Sequence, residues 1–301
     1  MTGLNQKIKC KENDNKMYNG ISEEIRFNTE DYKEGYIKGV EDSQSKKEEI
    51  KEVMDNAKSQ DEFDKLVDTY LGNFYFNFYK RFAHKLKPMN YVRFLYLCSY
   101  MDYENRLVKK NGNKNVSIYE KELQSILNIG KTEYYNTKKE LVENDLIIIN
   151  EDKSVSINNK YCKKGKIIKN SMVVKIRMFN NGIRILYENC NPKEHKKLAF
   201  LFDIIKYCHY DYNIICHNPH ETLEDKIIPI NVKELCVLLG YKNVTDFKRK
   251  INTLKIDNKP VFDIHSINNK QVIQVNPQVY YNGNKLEHLK GLLVVFGICT
   301  E

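Results

Sequence analysis

Tryptophan is absent from this 301-residue chain, while Lys, Asn, Ile and Tyr are used heavily. Those residues have AT-rich codons and point to a low-GC genome, which bears on origin and not on function. None of the eight cysteines, at 10, 98, 162, 190, 208, 216, 236 and 299, forms a Cys-x-x-Cys pair. Scattered through so long a chain, they read as reduced thiols of a cytosolic protein and not as a disulfide framework. No Gly-x-x-x-x-Gly-Lys-Ser/Thr loop is present, so ATP-driven chemistry has no support. Met1 to Lys16 is charged and lacks the apolar core of a signal peptide. Leu292 to Cys299 is too short to cross a bilayer. The expectation is a soluble, cytoplasmic protein with no membrane partner, no cofactor and no enzymatic activity.

What is present is positive charge, unevenly placed. The formal net charge is +9. Residues 1–70 hold 12 basic and 17 acidic side chains, whereas 71–301 hold 37 and 23. A cationic body behind an acidic leader suits a polyanionic partner, because Lys and Arg displace counterions condensed on phosphates. A Lys-rich soluble protein with no such partner would show the same totals, so the decision falls to motifs.

Residues 1–45 are polar and aperiodic and read as a flexible acidic arm. Over 46–87 the apolar residues Ile50, Val53, Met54, Phe63, Leu66, Val67, Leu71, Phe74 and Phe78 recur at helical steps. This predicts a helical extension, a candidate dimerisation element, with Lys80, Arg81, Lys85 and Lys87 near its end. Those cations fit either a solvated helix face or contact with DNA backbone.

The strongest signal is an internal repeat. Segments 88–165 and 192–285 carry the same order of features: an apolar helix (Tyr91 to Met101, Lys197 to Tyr207), a polar connection, a capped helix pair and two strands. Cys98-Ser99-Tyr100 pairs with Cys208-His209-Tyr210. Ile157 to Gly165 aligns without gaps to Val275 to Gly283. In the first copy, Ser117 and Glu120 form a capping box, Gly130 supplies the positive φ of a turn, and Thr132 caps the next helix. That helix is expected to turn Tyr135, Leu141 and Val142 inward and Lys131, Tyr134, Asn136, Lys138 and Lys139 outward. In the second copy, Asn231 and Glu234 cap a helix bearing Leu235, Leu238 and Leu239, and Gly240 ends it. Asn243 opens a helix with Phe247, Ile251 and Leu254 buried. Lys242, Lys248, Arg249 and Lys250 lie beside or on its polar face. Hairpins follow, with tips at 150–154 (Lys153) and 268–270 (Lys270). Two short helices about a tight turn plus a hairpin make a winged helix-turn-helix, whose second helix enters the major groove. The fold class is therefore mainly α with small β-wings (α+β), as tandem winged helix-turn-helix domains. A helical hairpin of another α/β fold, or a winged helix that binds only protein, would carry similar signals.

Residues 166–191 read as a basic bridge between the copies. Lys160, Lys163, Lys164, Lys166, Lys169, Lys175, Arg177 and Arg184 meet no acid until Glu188. Phosphate contact is favoured over a solvated linker, since an exposed acid is free to occur there and none does. Residues 286–301 are an apolar tail that packs on the second copy or forms a dimer seam.

At Tyr187-Glu188, Asn213-Ile214-Ile215-Cys216-His217-Asn218-Pro219 and Val275 to Gly283, and in its tandem layout, the chain resembles winged-helix replication initiators of plasmids and phages from low-GC bacteria. The resemblance covers about residues 75–285. It implies binding of double-stranded DNA at repeated origin sites, possible homodimers and recruitment of host replication proteins. By the same resemblance Lys138, Lys139, Lys248 and Arg249 are recognition-helix contacts. Related proteins of mobile elements include transcriptional regulators, and a protein-interaction adaptor is a third reading. The seven His contain no His-apolar-His pair of the kind nicking initiators use to hold a metal, so the Tyr residues read as structural. Cys208, His209, Cys216, His217 and His220 are zinc-compatible, but their spacing fits no common finger, and a structural loop is preferred.

Overall fold

The computed structural model describes residues 48, 51, 55, 57–81, 85–165, 175–267 and 270–299. The acidic arm 1–45, Lys166 and Lys169 of the bridge, and Asn268 and Asn269 of the second hairpin tip lie outside the described residues. The chain divides into two units, 1–59 and 60–301. The described residues of the first are helical.

The second unit begins with α1, helical over 60–66 and closing in a π turn at Val67–Leu71. Gly72, at φ +76°, ends it. The expected helix does not run on: Phe74–Asn77 is a strand, β1, whose Tyr75 and Asn77 are buried while Phe74 and Phe76 are half-buried. An aromatic run at both two- and four-residue spacing satisfies either period, and the left-handed Gly72 breaks the helix before it. β1 is the middle of an antiparallel sheet, between β6 (Cys162–Lys163) and β7 (Ile176–Phe179). The expected bridge is thus in part a sheet strand, followed by helix α5 (Asn180–Glu188).

The first copy consists of α2 (Pro88–Cys98), the hairpin β2–β3 (Val108–Asn111, Lys114–Ser117), α3 (Leu123–Leu127), α4 (Lys131–Glu143) and the hairpin β4–β5 (Ile147–Ile149, Val155–Ile157). Pro88 starts α2, where its fixed φ suits a helix and its missing N–H costs nothing. The second copy has α6 (His195–Ile205), α7 (Val232–Leu238), α8 (Val244–Thr253), a small hairpin β8–β9 (Lys255–Ile256, Lys259–Pro260) and the hairpin β10–β11 (Phe262–Ile267, Lys270–Val275). Helix α9 (Leu286–Val295) closes the chain. The result is an α+β fold with small antiparallel sheets.

The two copies share a hydrogen-bond scheme. Leu107 N–H donates to Val155 O as Ile215 N–H does to Ile273 O. Ile157 N–H donates to Asn105 O as Val275 N–H does to Asn213 O, and Asn158 N–H reaches Leu146 O as Asn276 N–H reaches Val261 O. Asn105 and Asn213 are both buried and left-handed, at φ +63° and +53°. Asn105 Nδ2 donates to the carbonyls of Ile157 and Cys162 at 3.3 and 2.7 Å, and Asn213 Nδ2 to those of Val275 and Tyr280 at 2.9 and 2.7 Å. These pairs match the gapless alignment of 157–165 with 275–283. They move the earlier pairing of Cys98 with Cys208. Bridges from Met101 to Leu107 and from Cys208 to Ile215 make Met101 the counterpart of Cys208, with one more residue before the left-handed Asn in the second copy.

One apolar core runs through both copies. α2 packs on α5 and α6. Tyr96 stacks on Tyr187 with ring centroids 3.8 Å apart, and Tyr91 meets Phe202 edge-on at 5.3 Å. A second cluster joins Phe63, Val67 and Leu71 of α1 to Phe179, Tyr281 and α9 residues Leu289, Leu292 and Leu293. The apolar tail thus packs within its own chain.

Candidate nucleic-acid interface

The capping box expected at Ser117 lies two residues further on. Ser117 ends β3, paired with Val108, so the box is at Tyr119, whose N–H donates to Glu122 Oε2 at 2.9 Å. Asn128, at φ +48°, makes the turn expected of Gly130, and Gly130 rather than Thr132 is the N-cap of α4. That start sets the helix rotation. Tyr134, Thr137 and Leu141 are buried, with Tyr134 Oη donating to Glu120 O at 3.0 Å. The expected faces of Tyr134 and Tyr135 are therefore exchanged, and Tyr135 and Val142 are exposed. The inward face carries polar contacts. Arg93 of α2, 2 % exposed, donates from Nη1 to Thr137 Oγ1 at 2.8 Å, and its Nη2 lies 3.3 Å from Glu133. Glu140 accepts from Lys87 N–H and Asn90 Nδ2. Charge-assisted bonds of this kind tie α4 firmly to α2.

Of the residues expected on α4, Lys131, Asn136 and Lys139 are exposed. Lys139 has only a loose partner, Glu143 at 3.8 Å. Lys138 is half-buried beside the Tyr134 and Tyr135 rings and pairs with Glu120 at 2.7 Å, which holds its pKa above the usual value. Its charge is compensated within the protein, which corrects its expected place among the open contacts.

In the second copy the box stands as expected. Asn231 Oδ1 accepts from Glu234 N–H at 3.0 Å, and Glu234 Oε2 from Asn231 N–H at 3.1 Å. Gly240 turns at φ +73°, and Asn243 Oδ1 caps α8 through Thr245 and Asp246 N–H. Phe247 and Ile251 are buried. Leu238, expected inside, is exposed together with Val237 and Val244. Lys242, Lys248 and Arg249 are exposed. Arg249 reaches Asp246 at 2.8 Å, an open pair that binds weakly. Lys250 turns inward, with its Nζ 2.6 Å from Tyr241 Oη and over the Phe200 ring at 4.4 Å. It is half-buried against these rings rather than fully exposed like Lys248.

Lys153 and Lys270 are exposed beside their hairpin tips. Lys163 and Lys164 are half-buried along and after β6. The β2–β3 hairpin, expected from sequence as a polar connection and a short β-prone piece, adds Lys109, Lys110 and Lys114. Its signal was Asn111-Gly112 between short extended segments, with Gly112 at φ +58°.

The Cys/His group of the second copy is engaged in structure. His209 Nδ1 accepts N–H bonds from Asp211 and Tyr212 at 3.2 and 3.3 Å, so its proton is on Nε2, which donates to Glu221 O at 2.8 Å. In the first copy the Asp102 carboxylate accepts from Glu104 and Arg106 N–H in the same way. Burial pushes the Cys208 thiol up and the Cys216 thiol up to about 12. Among the described residues no group of three His, Cys, Asp or Glu is placed to hold a metal. No helix among them is long and apolar enough to cross a membrane.

His195, 1 % exposed and in tilted ring contact with Tyr187 with centroids 4.0 Å apart, has its pKa lowered to about 4, first by burial and then by Arg93. The unfolded chain, with an ordinary imidazole near 6.5, takes up the proton first. Stability is then intact above about pH 6.5 and falls as pH drops toward 4. At pH 5 this one group removes about 2 kcal/mol, and Tm should be about 4–8 °C below its pH 7.5 value. His195→Phe keeps the ring contact and should flatten that dependence. A variant as steep as the parent in scanning calorimetry would assign the acid sensitivity elsewhere. No protein-family profile matches the chain, and no curated protein or solved structure matches it.

Proposed function

We propose that the chain is a sequence-specific double-stranded DNA-binding protein built from two winged helices, and that it acts as a replication initiator of a plasmid or phage at repeated origin sites. The observation that carries this reading is the shared hydrogen-bond scheme, which gives each copy a helix, a crossing strand segment, a helix pair and a hairpin in the same order. In each copy the second helix of the pair presents cations outward: Lys131 and Lys139 on α4, and Lys248 on α8 with Lys242 just before it. Such a helix suits the major groove, and the hairpin beside it suits the flanking backbone.

Fluorescence anisotropy with duplex DNA tests it. Affinity should fall with log salt by about 0.9 per phosphate contacted. Lys131→Ala with Lys139→Ala, and Lys242→Ala with Lys248→Ala, should each lower the slope by about 2 and protect only one half of the parental footprint. If both variants bind and protect as the parent does, the helix assignment fails. Protected repeats beside an AT-rich tract favour initiation, and a promoter operator favours a transcriptional regulator. A protein-interaction adaptor is favoured by one feature, the exposed Val237, Leu238 and Val244 on the second helix pair. No binding to any duplex at low salt would leave that reading standing.

A further inference from the structure

Away from α4 and α8, a polar cleft of about 380 Å³ opens between the β2–β3 hairpin, the turn after α2 and the start of α5. Lys110, Lys164 and Arg184 line it, with the amides of Asn115 and Asn181. We propose that this cleft is a binding site for a phosphate group. Three features support it together.

First, Arg184 is held in place. Its Nε donates to Ser99 Oγ at 3.0 Å, its Nη2 donates to Ser99 O at 2.8 Å, and its guanidinium lies over the Tyr100 ring at 4.0 Å. That fixes the fork and leaves Nη1 without a protein acceptor among the described residues. Second, the cations are not neutralised. Among the described residues no carboxylate forms an ion pair with Lys110, Lys164 or Arg184. One carboxylate, Asp102, also lines the cleft, but it is paired with Arg106 at 3.1 Å and accepts the N–H groups of Glu104 and Arg106, while Glu122 is paired with Lys109. Third, the cations crowd each other. Lys164 is half-buried over the Tyr103 ring at 5.2 Å, and its pKa is lowered by burial and then by Arg184, with Asp102 opposing the shift and Lys110 adding to it. A recess with three cations free of ion pairs and one carboxylate already paired is net positive, a cost that a bound dianion relieves. Asn181 lies in the first turn of α5, where the helix dipole favours the same charge.

A free phosphate or phosphomonoester and a nucleic-acid backbone phosphate share this chemistry. The experiment separates them and stands apart from the groove-helix reading. The full chain is titrated with inorganic phosphate at constant ionic strength by calorimetry, and with duplex DNA by anisotropy. Both are repeated for Lys164→Gln with Arg184→Gln, and for the charge-keeping Lys164→Arg. Thermal melts check that each variant is folded, and Lys110→Gln, on an exposed strand, serves if the double variant is not. The expected result is phosphate binding by the parent and by Lys164→Arg, weakened at least about tenfold in the double variant. If duplex affinity falls with it and the salt slope drops by about 2, the occupant is backbone phosphate. If duplex affinity is unchanged, the occupant is a free phosphate or phosphomonoester. Equal phosphate binding by parent and charge-removing variants, or none by the parent to phosphate with no change in duplex binding on substitution, overturns the site. Failure of the α4 and α8 variants to affect DNA would leave this outcome untouched.

Discussion

Gly182→Ala should cost the protein about 3 kcal/mol or more. A Cβ at this position would sit 2.1 Å from the carbonyl oxygen of Gln278 and 2.8 Å from its carbon. Carbon and oxygen in weak contact stay about 3.3 Å apart, so a displacement on the order of 1 Å is needed. Neither side gives easily. Gly182 is in the first turn of α5, which is pinned by Asn180 Nδ2 to Ser99 O at 2.9 Å and Asn180 N–H to Asn73 O at 2.8 Å. The opposing backbone is tied in turn, with Val279 O accepting from Phe179 N–H at 3.3 Å. The contact is backbone on backbone, where no rotamer can swing away. Gly291→Ala is the matched control: it lies inside α9 with nothing within 4 Å of its Cβ, and should stabilise by about 0.5–1 kcal/mol. Urea unfolding of the pair measures both. A loss under about 1 kcal/mol for Gly182→Ala would mean that α5 does not approach residues 278–279 so closely.

A second large effect is expected at Asn213. Its Nδ2 is the donor that joins the end of β11 to the tail that follows, and its backbone is left-handed with no exposure. Asn213→Asp keeps shape and tolerance for positive φ, but turns a donor into an acceptor facing two carbonyls, and buries a charge. It should cost more than about 4 kcal/mol and leave little folded protein. Asn213→Gly keeps the backbone and loses only the bonds, about 2–3 kcal/mol. Asn213→Ala should lose about 1 kcal/mol beyond that, through the left-handed penalty. Denaturation midpoints in the order Asn, Gly, Ala, Asp are expected. An Asp variant as stable as the Gly variant would show that the two carbonyls do not need this amide.

The duplication was legible because it sits in residues with narrow roles. Asn158 and Gly165 recur as Asn276 and Gly283 at the same spacing, and the hydrogen bonds fall on that register. The second-copy caps at Asn231 and Asn243 were legible for the same reason: each side chain meets a backbone N–H of its own helix. The rotation of α4 was not. Its buried face includes Thr137, held by a buried Arg93 that lies 44 residues earlier in the sequence, and a search for apolar periodicity passes over a polar core position. β1 was hidden by an aromatic run that fits two periods. The candidate contacts split along the same line. Sequence marks a lysine as cationic, but the partners that hold Lys138 to Glu120 and Lys250 to Tyr241 come from other elements. The cleft with Arg184 was invisible for that reason too, since its lining comes from well-separated stretches, from Asn73 through the residues around 99–115 and Lys164 to Arg184.

The place of β1 has a consequence for how the chain is made. A strand that leaves the ribosome early finds its partners only when residues 162–163 and 176–179 have followed, and the outer edge of β7 waits for Tyr280. Loop closure over such spans is slow and entropically costly. The sheet is therefore complete only when Tyr280 has joined β7, which couples its closure to the folding of the second copy.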